Sequence, residues 1–458
     1  MQSVTVWSLR VKNKANSISA PDSKSWWMPG RGIAPARQSY HEKMPERYII
    51  STEWLFCWIN KEAKMKGKVD TKRLDWRTQL VDAAQLAPEG FRSLNTPVDR
   101  GSTTLFASAA QVRDVWDPAV AAYTYGLYGT PTTYELAQRI ARLEGANQTF
   151  ITPGGQAAIA LVYLSLCQPG DHVLVPESAY GPNRAMAQGI LGRLGVSVDM
   201  YDPMIGAGIA NMLKPQTRLV WCESPGSITM EVQDVSAIVE AVHRHGAYVA
   251  LDNTYAAGVL YDAFAHGVDI SIQALTKYVG GHSDVLLGSV SVCDARLRER
   301  IGDTRAQLGM AVSPDECSLA LRGLQTLGVR LDALGRSSTR VAEWLSTRPE
   351  IEQVLHPALP ECPGHEQWKR DFDAAASVFS IVFKPGYSRD EIIAFVDALS
   401  LFRIGYSWGG VTSLAVPCFD LKRQYRDYGD RIVRLNVGLE STDDLIADLG
   451  HALDTLSR

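Results

Sequence analysis

The stretch that decides the fold is AYVALDNTYAAGVLYDAFAHGVDISIQALTKYVGGHS, residues 247–283. Its two short apolar runs, 247–251 and 269–273, are typical of strands. Asp252 directly follows the first run, and Lys277 lies in the turn beyond the second. Continuous apolar runs indicate strands buried on both faces of a parallel sheet, and such sheets bind ligands at the carboxyl ends of their strands. The stretch therefore predicts a carboxylate and an amine near one sheet edge.

The same alternation of strand and helix signals continues on both sides of this stretch. The predicted strands are 149–152, 172–176, 196–201, 218–222, 247–251, 269–273 and 286–292. Helical stretches lie between several of them, notably 155–167, 181–194 and 234–245. We predict an α/β fold whose large domain has a mostly parallel seven-stranded sheet. After about residue 335 the pattern changes, and strands at 378–383 and 432–437 with helices at 388–399 and 441–456 predict a smaller α+β domain.

Three helix starts carry capping signals. Thr132 followed three residues later by Glu135 predicts a capping box that opens a helix ending near residue 144. Asp234 is predicted to cap the helix 234–245, which Gly246 ends. Ser313, followed by proline at the first helical position, predicts a long helix leading out of the sheet domain.

Lys277 and Asp252 together have the chemistry that pyridoxal phosphate (PLP) requires. A partly desolvated lysine amine can form a Schiff base, and the pyridine nitrogen of PLP needs an acidic partner to remain protonated. Taken singly, a lysine at a strand end is usually a solvated charge, and an aspartate there usually caps a turn.

Two further signals support a flat, phosphorylated cofactor. Gly154-Gly155-Gln156 lies between a strand and a helix, where main-chain N–H groups can bind a phosphate. A tight strand-to-helix turn explains these glycines equally well. Tyr180 lies just beyond another strand, where its ring could stack on the cofactor or simply belong to the core.

Jointly these motifs resemble the cystathionine-metabolising, Cys/Met-metabolism family of PLP-dependent enzymes. The resemblance covers 74–458 and is closest over 221–288. It rests on ESPGSITME (223–231), DNT (252–254), TKY (276–278), GHSD (281–284), RGL (322–324), TLGVR (326–330), YSWGG (406–410) and RLNVGLE (434–440).

The resemblance implies a fold type I subunit, assembled as a homotetramer of two tight dimers with shared active sites. Lys277 would hold PLP as a Schiff base and transfer protons, Asp252 would pair with the pyridine nitrogen, and Tyr180 would stack on the ring. Backbone amides of Gly155 and Gln156, with Thr276, would bind the phosphate, and Tyr125 would reach in from the neighbouring subunit. Substrate would be bound by Arg434, through its α-carboxylate, and by Ser407 and Trp408.

The activity implied is carbon–sulfur β-elimination of L-cystathionine to homocysteine, pyruvate and ammonia, in methionine biosynthesis. A γ-acting relative, a cystathionine γ-synthase or γ-lyase, is the alternative reaction. Three positions depart from the pattern of many relatives. Leu127 replaces a phosphate-binding arginine, Ala274 a serine and Ser227 an asparagine. The change at Leu127 implies weaker cofactor binding, compensation by another donor or a partly disabled site. We favour compensation, for which Tyr128 is the nearest donor in sequence.

Charge divides the chain. Residues 1–73 contain 14 Lys and Arg against 6 Asp and Glu, whereas the remainder has 32 against 44. This basic segment also holds five of the 11 tryptophans, a composition compatible with binding nucleic acid or a membrane surface. We favour an extension that is disordered, either an interaction tail or an over-extended reading frame whose true start is Met44 or Met65. A regulatory or nucleic-acid-binding role of this segment is the alternative of a different class.

The domains predicted after the extension are an arm, 74–130, that contributes to the neighbouring active site, a PLP-binding large domain, 131–330, and a C-terminal domain, 331–458. The seven cysteines never form a C-x-x-C pair, and the histidines show no metal-ligand spacing, so reduced thiols and no metal are expected. The absence of a signal-peptide or membrane-span pattern predicts a cytoplasmic enzyme that acts on a small amino-acid substrate.

Overall fold

A computed structural model describes residues 75–81 and 93–456. The basic segment 1–73, with the extension and the alternative starts predicted there, lies outside the described residues. Within the described ranges no helix is both long and apolar enough to cross a membrane.

The larger sheet has seven strands in the order β1-β7-β6-β5-β4-β2-β3. These strands are β1 Gln148–Thr152, β2 His172–Pro176, β3 Ser197–Tyr201, β4 Thr217–Glu223, β5 Tyr248–Asp252, β6 Ile270–Gln273 and β7 Gly288–Val292. Only β7 is antiparallel to its neighbours. The mostly parallel seven-stranded sheet is therefore confirmed, and the other six strands direct their carboxyl ends to one edge.

Helices cover both faces of this sheet and one face of the second. They are α1 Trp76–Val81, α2 Pro131–Glu144, α3 Gly155–Leu166, α4 Gly181–Met186, α5 Val235–His245, α6 Ala295–Gln307, α7 Pro314–Gln325, α8 Leu327–Ser346, α9 His365–Asp371, α10 Arg389–Ala398 and α11 Thr442–Asp454. A π-helical turn, Ala187–Leu191, follows α4. One core cluster lies between the large sheet and α2, α5 and α7, and a second lies between its other face and α3 and α6. Burial on both faces explains why these strands read as unbroken apolar runs.

The smaller sheet has five strands in the order β10-β11-β12-β9-β8. They are β8 Ile351–Leu355, β9 Val378–Phe383, β10 Arg403–Ile404, β11 Leu414–Pro417 and β12 Ile432–Asn436. Its core is shared with α8, α10 and α11. The α+β character of this region is confirmed, although only β9 and β12 of its strands were predicted from the sequence.

The predicted capping box of α2 is wrong. The N-cap is Thr130, two residues before Thr132, and it is followed by proline; no side-chain hydrogen bond caps this end of the helix. The Thr132 hydroxyl instead donates to Pro97 O at 2.8 Å and accepts from Asp99 N at 2.8 Å, while Glu135 pairs with Arg139 at 2.6 Å. Contacts with the preceding arm therefore engage Thr132, and an ion pair within the helix engages Glu135.

The other two helix starts are confirmed. Asp234 accepts from the Ala237 amide at the start of α5, which ends at Gly246, a residue in the left-handed conformation. Ser313 accepts from the Asp315 amide at the start of α7.

Helix α8 joins the two sheets without a break and crosses the predicted boundary at 330. Near its start, the buried Arg330 donates to Tyr278 O at 2.7 Å, next to Lys277. Two turns later, Ser338 donates to Ala376 O at 2.5 Å, just before β9. The helix is thus fixed at one point to the lysine segment and at another to the smaller sheet.

Candidate active site

The carboxyl ends of β5 and β6 are connected by Thr254. Asp252 is 9% exposed, and its Oδ1 accepts from the Thr254 amide at 3.1 Å and from the Thr254 hydroxyl at 2.5 Å. The same hydroxyl oxygen accepts from the Ala274 amide at 2.9 Å. Thr254 therefore orients the carboxylate and ties it to the segment that carries Lys277.

Lys277 lies among groups from both sheets. Its Nζ donates to Ser407 Oγ at 2.7 Å and lies 5.2 Å from the centre of the Trp408 ring. Burial, followed by the positive charge of Arg434, lowers the pKa of Lys277 to about 8. Ser407 adopts a positive φ of 77°, which non-glycine residues rarely do. Such backbone strain clusters at functional sites and here accompanies the contact of the hydroxyl with the amine.

Arg434 projects from β12 toward the same cluster. Its Nη2 donates to Ser407 O at 3.2 Å, and burial lowers the pKa of its guanidinium. A buried, planar cation is suited to bidentate binding of a carboxylate. The predicted substrate residues Arg434, Ser407 and Trp408 therefore come together around Lys277.

Tyr180 immediately precedes α4 and is 44% exposed. Burial raises the pKa of its phenol, with additional effects from Glu223 and Asp252 and an opposing one from Arg434. The charges of Asp252 and Arg434 therefore act on the Tyr180 phenol, and the role of its ring in stacking on a cofactor stays a prediction.

The helix start predicted to bind phosphate lies beside the lysine segment. Gly154 has a φ of 156°, and a Cβ added at Gly155 would lie 2.7 Å from the Ala274 Cβ, so only glycine permits this approach. The first N–H groups of α3, including those of Gly155 and Gln156, have no acceptor within the helix. The Thr276 hydroxyl donates to Leu287 O at 3.1 Å and accepts from Leu287 N at 3.2 Å.

Tyr125 and its neighbours belong to the arm. Tyr125 forms an isolated bridge with Thr103 and is 48% exposed, and its role in a neighbouring site stays a prediction. The Tyr128 hydroxyl donates to Asp114 at 2.6 Å, which raises the pKa of Tyr128 to about 12. Because that hydroxyl proton is engaged by a carboxylate, Tyr128 is poorly placed to replace the arginine absent at Leu127.

Comparison with known proteins identifies the family. The family model described as Cys/Met metabolism PLP-dependent enzyme matches residues 77–454. The chain belongs to this family. It is 42% identical to a cystathionine beta-lyase of Escherichia coli, over 82% of the chain and 97% of that protein. It is 35% identical to an L-alanine/L-glutamate racemase of Wolbachia pipientis, over 82% of the chain and 96% of that protein.

A solved relative of the Cys/Met-metabolism family shares the fold. Cystathionine gamma synthase from Xanthomonas oryzae pv. oryzae, in complex with aminoacrylate and cysteine, has a TM-score of 0.77 and is 29% identical. The similarity covers 83% of this chain and 98% of that one. The fold type I architecture is confirmed.

The site fits the cofactor of the Cys/Met-metabolism family. A buried carboxylate, a lysine amine with a lowered pKa, an exposed aromatic ring and a glycine-bounded helix start all lie along one sheet edge. They match the pyridine nitrogen, aldehyde, ring face and phosphate of PLP. PLP is therefore the cofactor that this site can hold.

Sequence reasoning missed three residues that organise this site. Thr254 could have been found from its Asp-x-Thr spacing, which is typical of a local side-chain to backbone turn. Asn436 lies in a quoted motif but received no role, and its Oδ1 accepts from Gly409 N at 2.8 Å. Glu223 contacts the Tyr180 amide, a pairing between distant segments that no local pattern reveals.

Proposed function

We propose that this protein is a cystathionine β-lyase, which converts L-cystathionine and water to homocysteine, pyruvate and ammonia. The observation that carries the proposal is its 42% identity to the Escherichia coli cystathionine beta-lyase over 97% of that protein. The arrangement of Lys277, Asp252 and Arg434 in one cluster supports it. Such a reaction would serve methionine biosynthesis, and we place it in the cytoplasm.

Substrate orientation is proposed to depend on Arg434. Its guanidinium would bind the α-carboxylate of the amino acid, with Ser407 and Trp408 beside it. Because Arg434 contacts Ser407 and influences the pKa of Lys277, a carboxylate bound there would bring Cα close to the lysine amine. It would also neutralise the cation that lowers the pKa of Lys277.

Proton transfer is proposed to be the role of Lys277. Bound PLP would supply an electron-withdrawing ring that stabilises negative charge at Cα. Asp252 would hold the proton on the pyridine nitrogen, and Tyr180 would fix the orientation of the ring. The neutral Lys277 amine would remove the Cα proton, after which the Cβ–S bond breaks and the sulfur departs as homocysteine. In the protein without substrate, burial and Arg434 lower the pKa of Lys277 to about 8, which favours the neutral amine that attacks the PLP aldehyde.

The phosphate is proposed to bind at the start of α3, through the amides of Gly155 and Gln156, with Thr276 nearby. Tyr125 is proposed to complete the site of a neighbouring subunit, within a homotetramer of two dimers. Both assignments follow from the match of this sequence to the family's motifs.

Two other reactions are chemically close. A γ-acting lyase would cleave the other carbon–sulfur bond of cystathionine, and a racemase would return the proton to the opposite face of Cα. Relatives that are 37% to 44% identical are named cystathionine beta-lyase or putative cystathionine beta-lyase, against 35% identity to the racemase and 29% to the γ-synthase, which supports β-elimination. A nucleic-acid-binding role of residues 1–73 is a separate hypothesis. It can be tested by measuring activity and nucleic-acid binding of the full chain and of a chain that begins at Met65.

The test is product analysis after incubating the PLP-loaded protein with L-cystathionine. We expect homocysteine and pyruvate in equal amounts. Cysteine and 2-oxobutyrate would instead identify γ-elimination, and conversion of L-alanine to D-alanine without cystathionine cleavage would identify a racemase. Lys277→Ala should form no product, whereas Lys384→Ala, which changes an exposed lysine of the smaller domain, should retain activity.

A further inference from the structure

Two buried carboxyl groups lie side by side at the sheet edge, although only one of them has an assigned role. Glu223 and Asp252 end β4 and β5 and are register partners in this parallel pair. They are 8% and 9% exposed. Register partners on adjacent parallel strands point to the same face, and the strands lie about 4.8 Å apart. Glu223 is therefore the nearest carboxyl neighbour of Asp252 along the sheet.

The two groups have different hydrogen-bond partners. Asp252 accepts from Thr254, whereas Glu223 Oε2 accepts from the main-chain amide of Tyr180 at 2.7 Å. The loop that follows β4 begins directly after Glu223. The loop that follows β2 carries its hydrogen-bond partner, Tyr180, whose ring is proposed to stack on PLP.

These two loops pack closely against each other. Ser227 N donates to Ser178 O at 2.8 Å, and a Cβ added at Gly226 would lie 2.5 Å from the Ser178 Cβ. This packing holds Ser178, two residues before Tyr180, and the Tyr180 carbonyl accepts from the Arg184 amide at 3.1 Å. The hydrogen bond to Glu223 fixes the Tyr180 amide.

We infer that Glu223 is a positioning residue that sets the placement of the Tyr180 ring over the cofactor by holding the Tyr180 amide. This inference rests on the proposed location of PLP between Asp252 and Tyr180. The role requires an acceptor atom and no charge. Burial and the neighbouring Asp252 both raise the pKa of Glu223, and burial raises the pKa of Asp252 to about 6. In either protonation state a carboxyl oxygen of Glu223 can accept the hydrogen bond of the Tyr180 amide.

A double-mutant cycle on cofactor affinity tests this inference. The dissociation constant of PLP is measured for wild type, Glu223→Leu, Tyr180→Ala and the double variant, starting from apo-protein. Loss of one main-chain hydrogen bond should weaken binding about fivefold to tenfold in Glu223→Leu. The double variant should bind no more weakly than Tyr180→Ala alone, because Glu223 acts through the tyrosine ring.

Two further measurements separate positioning from general stability. Visible circular dichroism of the bound cofactor, which depends on ring orientation, should change in Glu223→Leu and recover in Glu223→Gln, whose amide oxygen still accepts. The control is Glu231→Leu, which removes another buried carboxyl of the same segment, from a residue that is 2% exposed. It should lower thermal stability and leave both the affinity and the circular dichroism unchanged. If Glu223→Leu does not fold, Glu223→Asp, which retracts the carboxyl by one methylene, takes its place in the cycle.

The inference would be overturned if Glu223→Leu weakened PLP binding by the same factor with and without the Tyr180 ring. Unchanged PLP affinity in Glu223→Leu would also overturn it. Either outcome leaves the proposed function intact. A wild-type protein that fails to bind PLP through Lys277 would overturn the proposed function and this inference together.

Discussion

The pKa of Lys277 can be tested by changing Arg434. An amine must be neutral to attack an aldehyde, so the rate at which apo-protein combines with PLP should rise with pH through the lysine pKa. The lowering from 10.5 to about 8 favours the neutral amine by about 3 kcal/mol. Burial is the larger cause and Arg434 the second. In Arg434→Met the midpoint pH of this rise in rate should therefore lie above 8 but below 10.5.

The assay is rapid mixing of apo-protein with excess PLP over a range of pH, with detection by visible absorbance. Arg403→Met is the matched control, because Arg403 is an exposed arginine of the same small sheet. The midpoint pH of Arg403→Met should equal that of the wild type. Because titration of free PLP affects all three proteins equally, it cancels in this comparison. A midpoint that stays at or falls below the wild-type value in Arg434→Met would refute the electrostatic coupling.

Four further outcomes are expected. Borohydride reduction of the holoenzyme followed by peptide mapping should place the pyridoxyl group on Lys277, and its appearance on another lysine would contradict the site. Mixing inactive Lys277→Ala and Tyr125→Phe chains should restore partial activity, because some mixed dimers regain one intact site; verified mixed oligomers without activity would argue against sharing. Leu127→Arg should tighten PLP binding about tenfold to a hundredfold if nothing replaces the missing arginine. Tyr128→Phe should leave PLP affinity unchanged, since the Tyr128 hydroxyl is bonded to Asp114, and weaker binding in this variant would show that Tyr128 does compensate.

The sequence was most informative where function depends on the ends of buried strands. Asp252 and Lys277 were located correctly at the sheet edge because long apolar runs mark such strands without help from distant residues. Strand β8 was missed because Glu352 and Gln353 interrupt its apolar run, and β10 and β11 because they have only two and four residues. The capping box failed because Thr132 bonds to residues more than thirty positions away.

Within the site, the residues proposed to take part in the chemistry were easier to identify from the sequence than the residues that hold them in place. Lys277 and Arg434 belong to recognisable motifs, and the fold brings them together with Ser407. The contact of Glu223 with Tyr180 joins segments 43 residues apart, so only three-dimensional structure reveals it.

Helix α8 runs without a break between its two anchor points, Arg330 and Ser338, so the number of residues between them fixes the directions in which both side chains point. Each residue added to an α-helix rotates everything beyond it by about 100° and advances it by about 1.5 Å. A single insertion between Arg330 and Ser338 would leave Arg330 on Tyr278 O and turn Ser338 away from Ala376 O. The smaller sheet, which carries Arg434, would then be mis-set relative to Lys277 although no residue of the site had changed. This segment should accordingly tolerate many substitutions on its exposed face and very few changes in length.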